Sequence, residues 1–289
     1  MPYRSIFRAE AFAGQVVIVT GGGSGIGRCT AHELAALGAT VVVCGRSLDK
    51  LQAVVGEITE DGGKASAVVC DIRDDAAVGA AINAVLAQYG RIDGLVNNAG
   101  GQYRTGAKNI STKGFEAVVR NNLTGGFIFM REVYTRWMEA NGGAIVNMLA
   151  DIWHGWPDFA HSGAARGGML NLTESLSCEW AASGVRVNAV APGGIASSGF
   201  DTYVPEAKAK ILTHAAQVPM QRFGTEAEVS AAIVFLLSPA AAYITGSCIR
   251  IDGGAPNARQ TWTLQAHQRS QAFEGFHRAQ LPELLRSGR

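Results

Sequence analysis

The chain has 289 residues, long enough for one large α/β domain or two small ones. Hydrophobic residues make up 47% and charged residues 17%, which excludes an intrinsically disordered chain. A formal net charge of +1 argues against a broad electrostatic footprint for nucleic acid.

The first element in chain order is QVVIVT (15–20), a short apolar strand that runs into glycines. A helix over 26–37, closed by Gly38, comes next, then a second buried strand TVVVCG (40–45) and a helix over 47–60 that stops at Asp61-Gly62-Gly63. ASAVVC (65–70) reads as a third strand, 74–89 as a helix and IDGLVNN (92–98) as a fourth strand. A long helix is expected over 112–139, a fifth strand at AIVNML (144–149) and a helix over 162–183. VRVNAVA (185–191) and SCIRID (247–252) read as the sixth and seventh strands. Strands this uniformly apolar are buried on both faces, which calls for a parallel sheet covered by helices. The alternation of strand and helix therefore predicts an α/β class, a doubly wound seven-stranded parallel sheet of Rossmann type. Residues 1–255 read as one domain. Residues 256–289 break the alternation and read as a C-terminal extension carrying Trp262, Phe273 and Phe276, which either crosses to another subunit or covers a pocket.

No apolar stretch of signal-peptide length opens the chain, no run is long enough to span a membrane, and the chain ends in SGR. The five cysteines form no CxxC pair and read as buried reduced thiols. A cytoplasmic setting is expected.

TGGGSGIG (20–27) lies between the first strand and the first helix. Gly21, Gly25 and Gly27 let the backbone approach a pyrophosphate, and Ser24 and Ile26 sit in the same turn. The helix start offers free N–H groups and the positive end of its dipole. The end of the second strand, Gly45-Arg46-Ser47, has no acid to accept from a ribose 2′-hydroxyl. Arg46 suits a 2′-phosphate instead, so NADP(H) is the expected cofactor. Asp71 and Ile72 follow the third strand, where a contact to adenine is expected. Asp71 alternatively caps the next helix.

TGGGSGIG, NNAG (97–100), NNLTG (121–125) and APGGI (191–195), in this order, resemble the short-chain dehydrogenase/reductase family over roughly residues 12–255. The resemblance implies that Asn98, Ala99 and Gly100 border the cofactor and that Asn122 supports the active site. It also implies that Pro192, Gly193, Ile195 and Ser197 surround the nicotinamide, and that long helices at 112–139 and 162–183 build a homotetramer. The family's catalytic Ser and Tyr-x-x-x-Lys have no counterpart here. Met148-Leu149-Ala150 stand where the serine falls, Ser162 where the tyrosine falls and Arg166 where the lysine falls.

NNAGGQY (97–103), the run from Ile145 to Met169 containing HSGAAR, and EWAASGVRVNAVAPGGI (179–195) resemble the family's acyl-CoA branch, the 2,4-dienoyl-CoA and peroxisomal trans-2-enoyl-CoA reductases. That resemblance implies NADPH-dependent reduction of the C2=C3 double bond of a 2-enoyl-CoA thioester, within fatty acid metabolism. Such a reaction needs pre-aimed donors at a developing enolate, with a proton that water can supply. Arg166 is expected at the nicotinamide ribose and near the oxyanion. Ser162 is a candidate donor to the thioester oxygen, or else a helix cap. Tyr103 is a candidate substitute phenol, or else a pocket wall, and Gln102 and His161 are further candidates. Trp153, His154 and Trp156 are expected to line the acyl pocket. Residues 196–218 are expected to cover the substrate, with Lys208 and Lys210 near CoA phosphates. No metal site is expected. Two other readings stay open: action on a 3-oxoacyl or 3-hydroxyacyl thioester or other carbonyl, and a catalytically silent NADP(H)-binding protein.

Overall fold

The computed structural model describes residues 3–202, 213–258, 263–264 and 266–286. Seven parallel strands form a single sheet: β1 (Val16–Thr20), β2 (Thr40–Gly45), β3 (Lys64–Val69), β4 (Gly94–Asn97), β5 (Gly143–Met148), β6 (Val185–Pro192) and β7 (Cys248–Ile251). Their order is β3-β2-β1-β4-β5-β6-β7. The chain reverses its winding between β1 and β4, and open α/β sheets bind ligands at the carboxyl ends of the strands beside such a reversal.

Helices cover both faces: α1 (Gly25–Ala36), α2 (Leu48–Glu60), α3 (Asp75–Tyr89), α4 over 112–141, α5 (Ala160–Glu179) and α6 (Glu226–Leu237). One layer of core joins Ile18, Leu95 and Ile145 to Phe129 and Met130, and a second joins Val17, Val43 and Val146 to Leu34, Val229 and Ile233. β-branched residues filling the middle strands on both faces explain why those strands carry no polar alternation.

The expected elements stand, most with ends shifted by one or two residues, while the helix expected over 162–183 stops at Glu179 and a separate tight turn follows at Ala181–Ser183. Helix α6 is an addition. Most of its apolar residues are buried and none is exposed, so it shows no clear polar stripe, and it packs against α1. A capping box opens it, with the Glu228 N–H donating to Thr225 Oγ1 at 3.2 Å and the Thr225 N–H to Glu228 Oε2 at 2.9 Å. Helix α4 is interrupted by two π-turns, Arg120–Thr124 and Tyr134–Met138. Helix α5 starts two residues earlier than expected, so Ser162 lies inside its first turn and does not cap it.

Three of the five thiols are buried, while Cys178 is exposed and Cys248 half-buried. Among the described residues no helix is long and apolar enough to cross a membrane.

The described part of 256–289 lies along its own chain. Phe276 is buried against Tyr3 at 5.8 Å and His32 at 5.1 Å between ring centres. The Arg28 guanidinium stands 5.0 Å from its ring centre. Arg278 forks onto Asp61, with Nε and Nη2 each 3.0 Å from a carboxylate oxygen. The Glu283 N–H donates to Asp201 at 2.9 Å, which ties this segment to the turn Ser198–Thr202.

Candidate active site

Two cavities open along the carboxyl ends of the strands and meet at Gly100, which lines both. The smaller, about 230 Å³, sits over β1 to β3 and is lined by Gly21, Ser24, Arg46, Lys50, Asp71, Ile72 and Ala99 among others. The larger is a cleft of about 850 Å³ over β4 to β6, with Ile26, Asn98, Arg166, Pro192, Gly193, Ile195 and Ser197 on its walls.

The glycine-rich turn has the backbone that the motif requires. Gly21 and Gly25 take φ of +65° and +57°, which a side chain tolerates poorly. A Cβ at Gly27 would collide with the Gly21 carbonyl oxygen, so the helix can start this close to the turn only with glycine. No side chain caps α1 and no acid stands in its first turn, which leaves its N-terminal N–H groups available to an anion.

Arg46 and Lys50 make no hydrogen bond or ion pair among the described residues, leaving two cations in the smaller cavity. Asp71 does not cap α3; Asp74 does, accepting from the Ala77 N–H at 3.1 Å. Asp71 is instead gripped by Arg73, whose Nη2 lies 2.6 Å away. The Arg73 hydrogen bonds hold its carboxyl down at about 2. A trough in two halves, with a phosphate-accepting turn between them and cations at one end, fits an extended dinucleotide.

Arg166 lines the cleft, and Asn122, buried behind it, holds it in place. Asn122 lies in the first π-turn of α4, and its Nδ2 donates to the Val118 carbonyl at 3.0 Å, where a backbone N–H of an ordinary α-turn would bond. The same amide holds Gly101 from both sides, donating to its carbonyl at 2.6 Å and accepting from its N–H at 3.0 Å. Its Oδ1 also accepts from Arg166 Nη2 at 2.9 Å. Arg166 Nη1 donates to the Met148 carbonyl at 2.5 Å. Arg166 is only 7% exposed, and its Nε has no protein partner. Burial lowers its pKa to about 10, so it stays charged near neutrality. Gly100 must be glycine here, because a Cβ would lie 2.5 Å from both Arg166 Nη2 and Asn122 Oδ1.

Other expected residues fall differently. Ser162 is fully buried, off the cleft surface, and donates to Gln102 Oε1 at 2.6 Å. Gln102 itself lines the cleft. His161 is also buried; its Nδ1 accepts from the Ser162 N–H at 2.9 Å, and its Nε2 has no partner. Tyr103 is 41% exposed and does not line the cleft; its ring stands edge-on to His161, with centres 4.5 Å apart. Of the three expected pocket residues after β5, Trp156 lines the cleft, while Trp153 packs beneath Arg250 and His154 lies outside. Lys208 and Lys210 lie outside the described residues. The described residues beyond 258 line neither cavity.

Several cleft residues carry no motif in the sequence. Phe159, Phe200 and Phe223 join Trp156 in an apolar wall, where Trp156 stacks on Phe159 at 4.8 Å and Phe200 meets Phe223 edge-on at 5.4 Å. Arg104 stands in the same cleft, paired with Asp158 at 2.8 Å. Asp151 follows β5, and its backbone N–H donates to the Pro192 carbonyl at 3.0 Å. Burial and the neighbouring Asp252 raise its carboxyl above the usual range, against smaller opposing effects of the Trp153 N–H, Arg250 and His154. Among the described residues no group of three His, Cys, Asp or Glu side chains is arranged to hold a metal.

Residues 21–256 match a family profile described as enoyl-(acyl carrier protein) reductase. A protein of Bacillus subtilis (strain 168) named probable 2,4-dienoyl-CoA reductase [(2E)-enoyl-CoA-producing] is 36% identical, over 83% of this chain and 96% of its own. A 3-oxoacyl-[acyl-carrier-protein] reductase of Synechocystis is 38% identical, over 84% of this chain and 98% of its own. A solved structure from Pseudomonas aeruginosa PAO1, described as a citronellol catabolism dehydrogenase, superposes with a TM-score of 0.80 at 55% identity, covering 88% of this chain and all of that one. With the seven-stranded sheet, the glycine-rich turn and the Asn122–Arg166 pair in place, these likenesses show that the chain belongs to the short-chain dehydrogenase/reductase family.

Proposed function

We propose that this protein reduces the C2=C3 double bond of 2-enoyl-CoA thioesters with NADPH. The observation that carries the reading is the buried Arg166 on the cleft wall, charged and with its Nε–H unpartnered among the described residues. The bound cofactor supplies a hydride. Arg166 then holds the nicotinamide ribose and adds positive potential where the thioester oxygen gains charge, in a site where burial strengthens that attraction. Asn122 holds the guanidinium in place and fixes the Gly101 peptide. The wall of Trp156, Phe159, Phe200 and Phe223 excludes water and suits an acyl chain. Arg46 and Lys50, neither of which makes a hydrogen bond or ion pair among the described residues, support the choice of NADP(H) over NAD(H).

The fit to the Bacillus relative supports enoyl-thioester reduction. The Synechocystis relative and the citronellol-related structure favour a second reading, in which the substrate is a 3-oxoacyl thioester or an isoprenoid-derived carbonyl or alcohol. Residues 1–255 are read as the catalytic domain and 256–289 as a strap on the same chain. A homotetramer is the assembly that the family resemblance supports, and a cytoplasmic setting is the reading kept with it.

Purified protein is mixed with NADPH and a series of C4–C10 2-enoyl-CoA thioesters, linear and methyl-branched, and nicotinamide absorbance is followed. The same assay is run with 3-oxoacyl-CoA, and in the oxidative direction with NADP⁺ and citronellol. Turnover of enoyl thioesters above all others supports the proposal. No turnover of any enoyl thioester, with turnover of a carbonyl or alcohol, replaces it with the second reading.

A further inference from the structure

The reduction of a conjugated thioester ends with a proton arriving at Cα, and neither Arg166 nor Asn122 is a suitable donor. Ser162 lies off the cleft and is held by Gln102, and Tyr103 does not line the cleft. One carboxyl does line it. Asp151 shares the cleft with Leu149, Ala150 and Arg166 on one side and Pro192 and Gly193 on the other. Its backbone N–H bonds to the Pro192 carbonyl at 3.0 Å, which fixes the residue beside the loop expected at the nicotinamide. Its Oδ1 is shielded from solvent and has no hydrogen-bond partner among the described residues. A buried carboxylate oxygen without a donor is costly, whereas a carboxyl holding a proton there is not.

The groups facing Asp151 favour that proton. Asp252, at the end of β7, presents a like charge. Arg250 opposes the rise, but its Nε lies 3.3 Å from Asp252, its Nη2 bonds to Asn257 and its guanidinium stands over the Trp153 ring, so it serves other partners. His154 and the Trp153 backbone N–H oppose the rise, with burial and Asp252 outweighing them.

We propose that Asp151 is a catalytic acid, delivering the proton that Cα of the enoyl thioester takes up. The step rests on the enoyl-thioester reading above. Cβ accepts the hydride that the cofactor supplies, forming a C–H bond, and the π pair of C2=C3 moves onto Cα and the thioester oxygen. The O–H bond of the Asp151 carboxyl breaks, its proton forms the Cα–H bond, and the carboxylate regains a proton from water at the mouth of the cleft. The saturated thioester and oxidised cofactor leave, and the enzyme is unchanged.

The test uses the full-length protein and its Asp151→Asn variant, which keeps the side chain's shape. Infrared titration of cofactor-free protein labelled with 4-¹³C-aspartate reads the protonated carboxyl directly and separates it from buried glutamates. The wild type is expected to keep an aspartic-acid band above the pH at which exposed carboxylates ionise, and Asp151→Asn to lack it. Absence of that band from the wild type overturns the proposal. In turnover with NADPH and crotonyl-CoA, Asp151→Asn is expected to bind NADPH within threefold of wild type while kcat falls by about 100-fold or more. Wild-type kcat falls as pH rises through the carboxyl's titration, and the variant loses that limb. In D₂O the wild type places deuterium on one face of Cα, and the variant on both. If wild type turns over crotonyl-CoA and the variant matches it in rate and stereochemistry, the Asp151 proposal alone falls. If wild type turns over no enoyl thioester, the proposed function fails and the Cα proton transfer falls with it.

Discussion

Asn122 and Arg166 meet through a single 2.9 Å hydrogen bond that joins the π-turn of α4 to the first turns of α5. The amide oxygen accepts from both Arg166 Nη2 and the Gly101 N–H, so one side chain sets the guanidinium and the β4 loop together. Removing either residue leaves the other with buried, unmatched polar atoms. Arg166→Ala is therefore expected to lower kcat/KM for enoyl thioester by about 100-fold, about 3 kcal/mol of transition-state stabilisation. Arg166→Lys retains the charge but a single ammonium replaces the fork, and it is expected to lie between. A double-mutant cycle with Asn122→Ala should show coupling of at least about 1 kcal/mol. Additive single effects would mean that the two residues act independently.

Arg46 and Lys50 predict the choice of cofactor. Both line the smaller cavity, and neither makes a hydrogen bond or ion pair among the described residues. Arg46→Ala is expected to weaken NADPH binding about tenfold or more, the loss of a charge-assisted hydrogen bond, and to leave NADH binding nearly unchanged. The NADPH preference should also narrow as salt is raised, because the cavity is open to solvent. Fluorescence titration with the two reduced cofactors, at low and high salt, reads both effects. Equal loss for NADPH and NADH would place Arg46 away from the 2′-phosphate.

The strands and the glycine-rich turn were legible because their signals are local: apolar runs of the right length, bounded by glycine. The missed helix α6 lacks a polar stripe, since Val229, Ile233, Val234, Leu236 and Leu237 are all buried. The box of Thr225 and Glu228 was its readable sign. The π-turn at Asn122 has no residue signature; it depends on where the side chain finds the Val118 carbonyl. Ser162 was read as a donor or a cap, but α5 begins before it and its hydroxyl meets Gln102, 60 residues away in sequence. Asp151 carries no signal in the sequence. Its character comes from Pro192 and Asp252, which only the folded sheet brings beside it.

Phe276 anchors the C-terminal segment. It is 5% exposed, enclosed by Tyr3, His32 and the Arg28 guanidinium. Phe276→Ala removes a large buried ring and the cation–π contact, and is expected to cost about 3 kcal/mol. Thermal unfolding should shift downward by several degrees, and limited proteolysis should cut first within residues 263–286. An unchanged melting temperature would show that the segment packs without contributing to stability.

Glu226 predicts a pH-dependent stability. It opens α6, is 7% exposed, and its carboxyl oxygen lies 3.8 Å from where a Cβ would stand on Gly25. Burial raises its pKa from 4.5 to about 7, with Arg28 opposing only in part. The folded state therefore keeps a proton that the unfolded chain releases above about 4.5. The stabilising contribution is complete below that pH and is lost as pH rises through 7, so the wild type weakens across this window. Glu226→Gln stays neutral throughout and removes the loss. Its stability relative to wild type is expected to be near zero at pH 4.5 and to rise to as much as about 3 kcal/mol above pH 8. Urea unfolding of both proteins across that range measures the difference. A gap that does not change with pH would mean that Glu226 does not titrate in the folded protein.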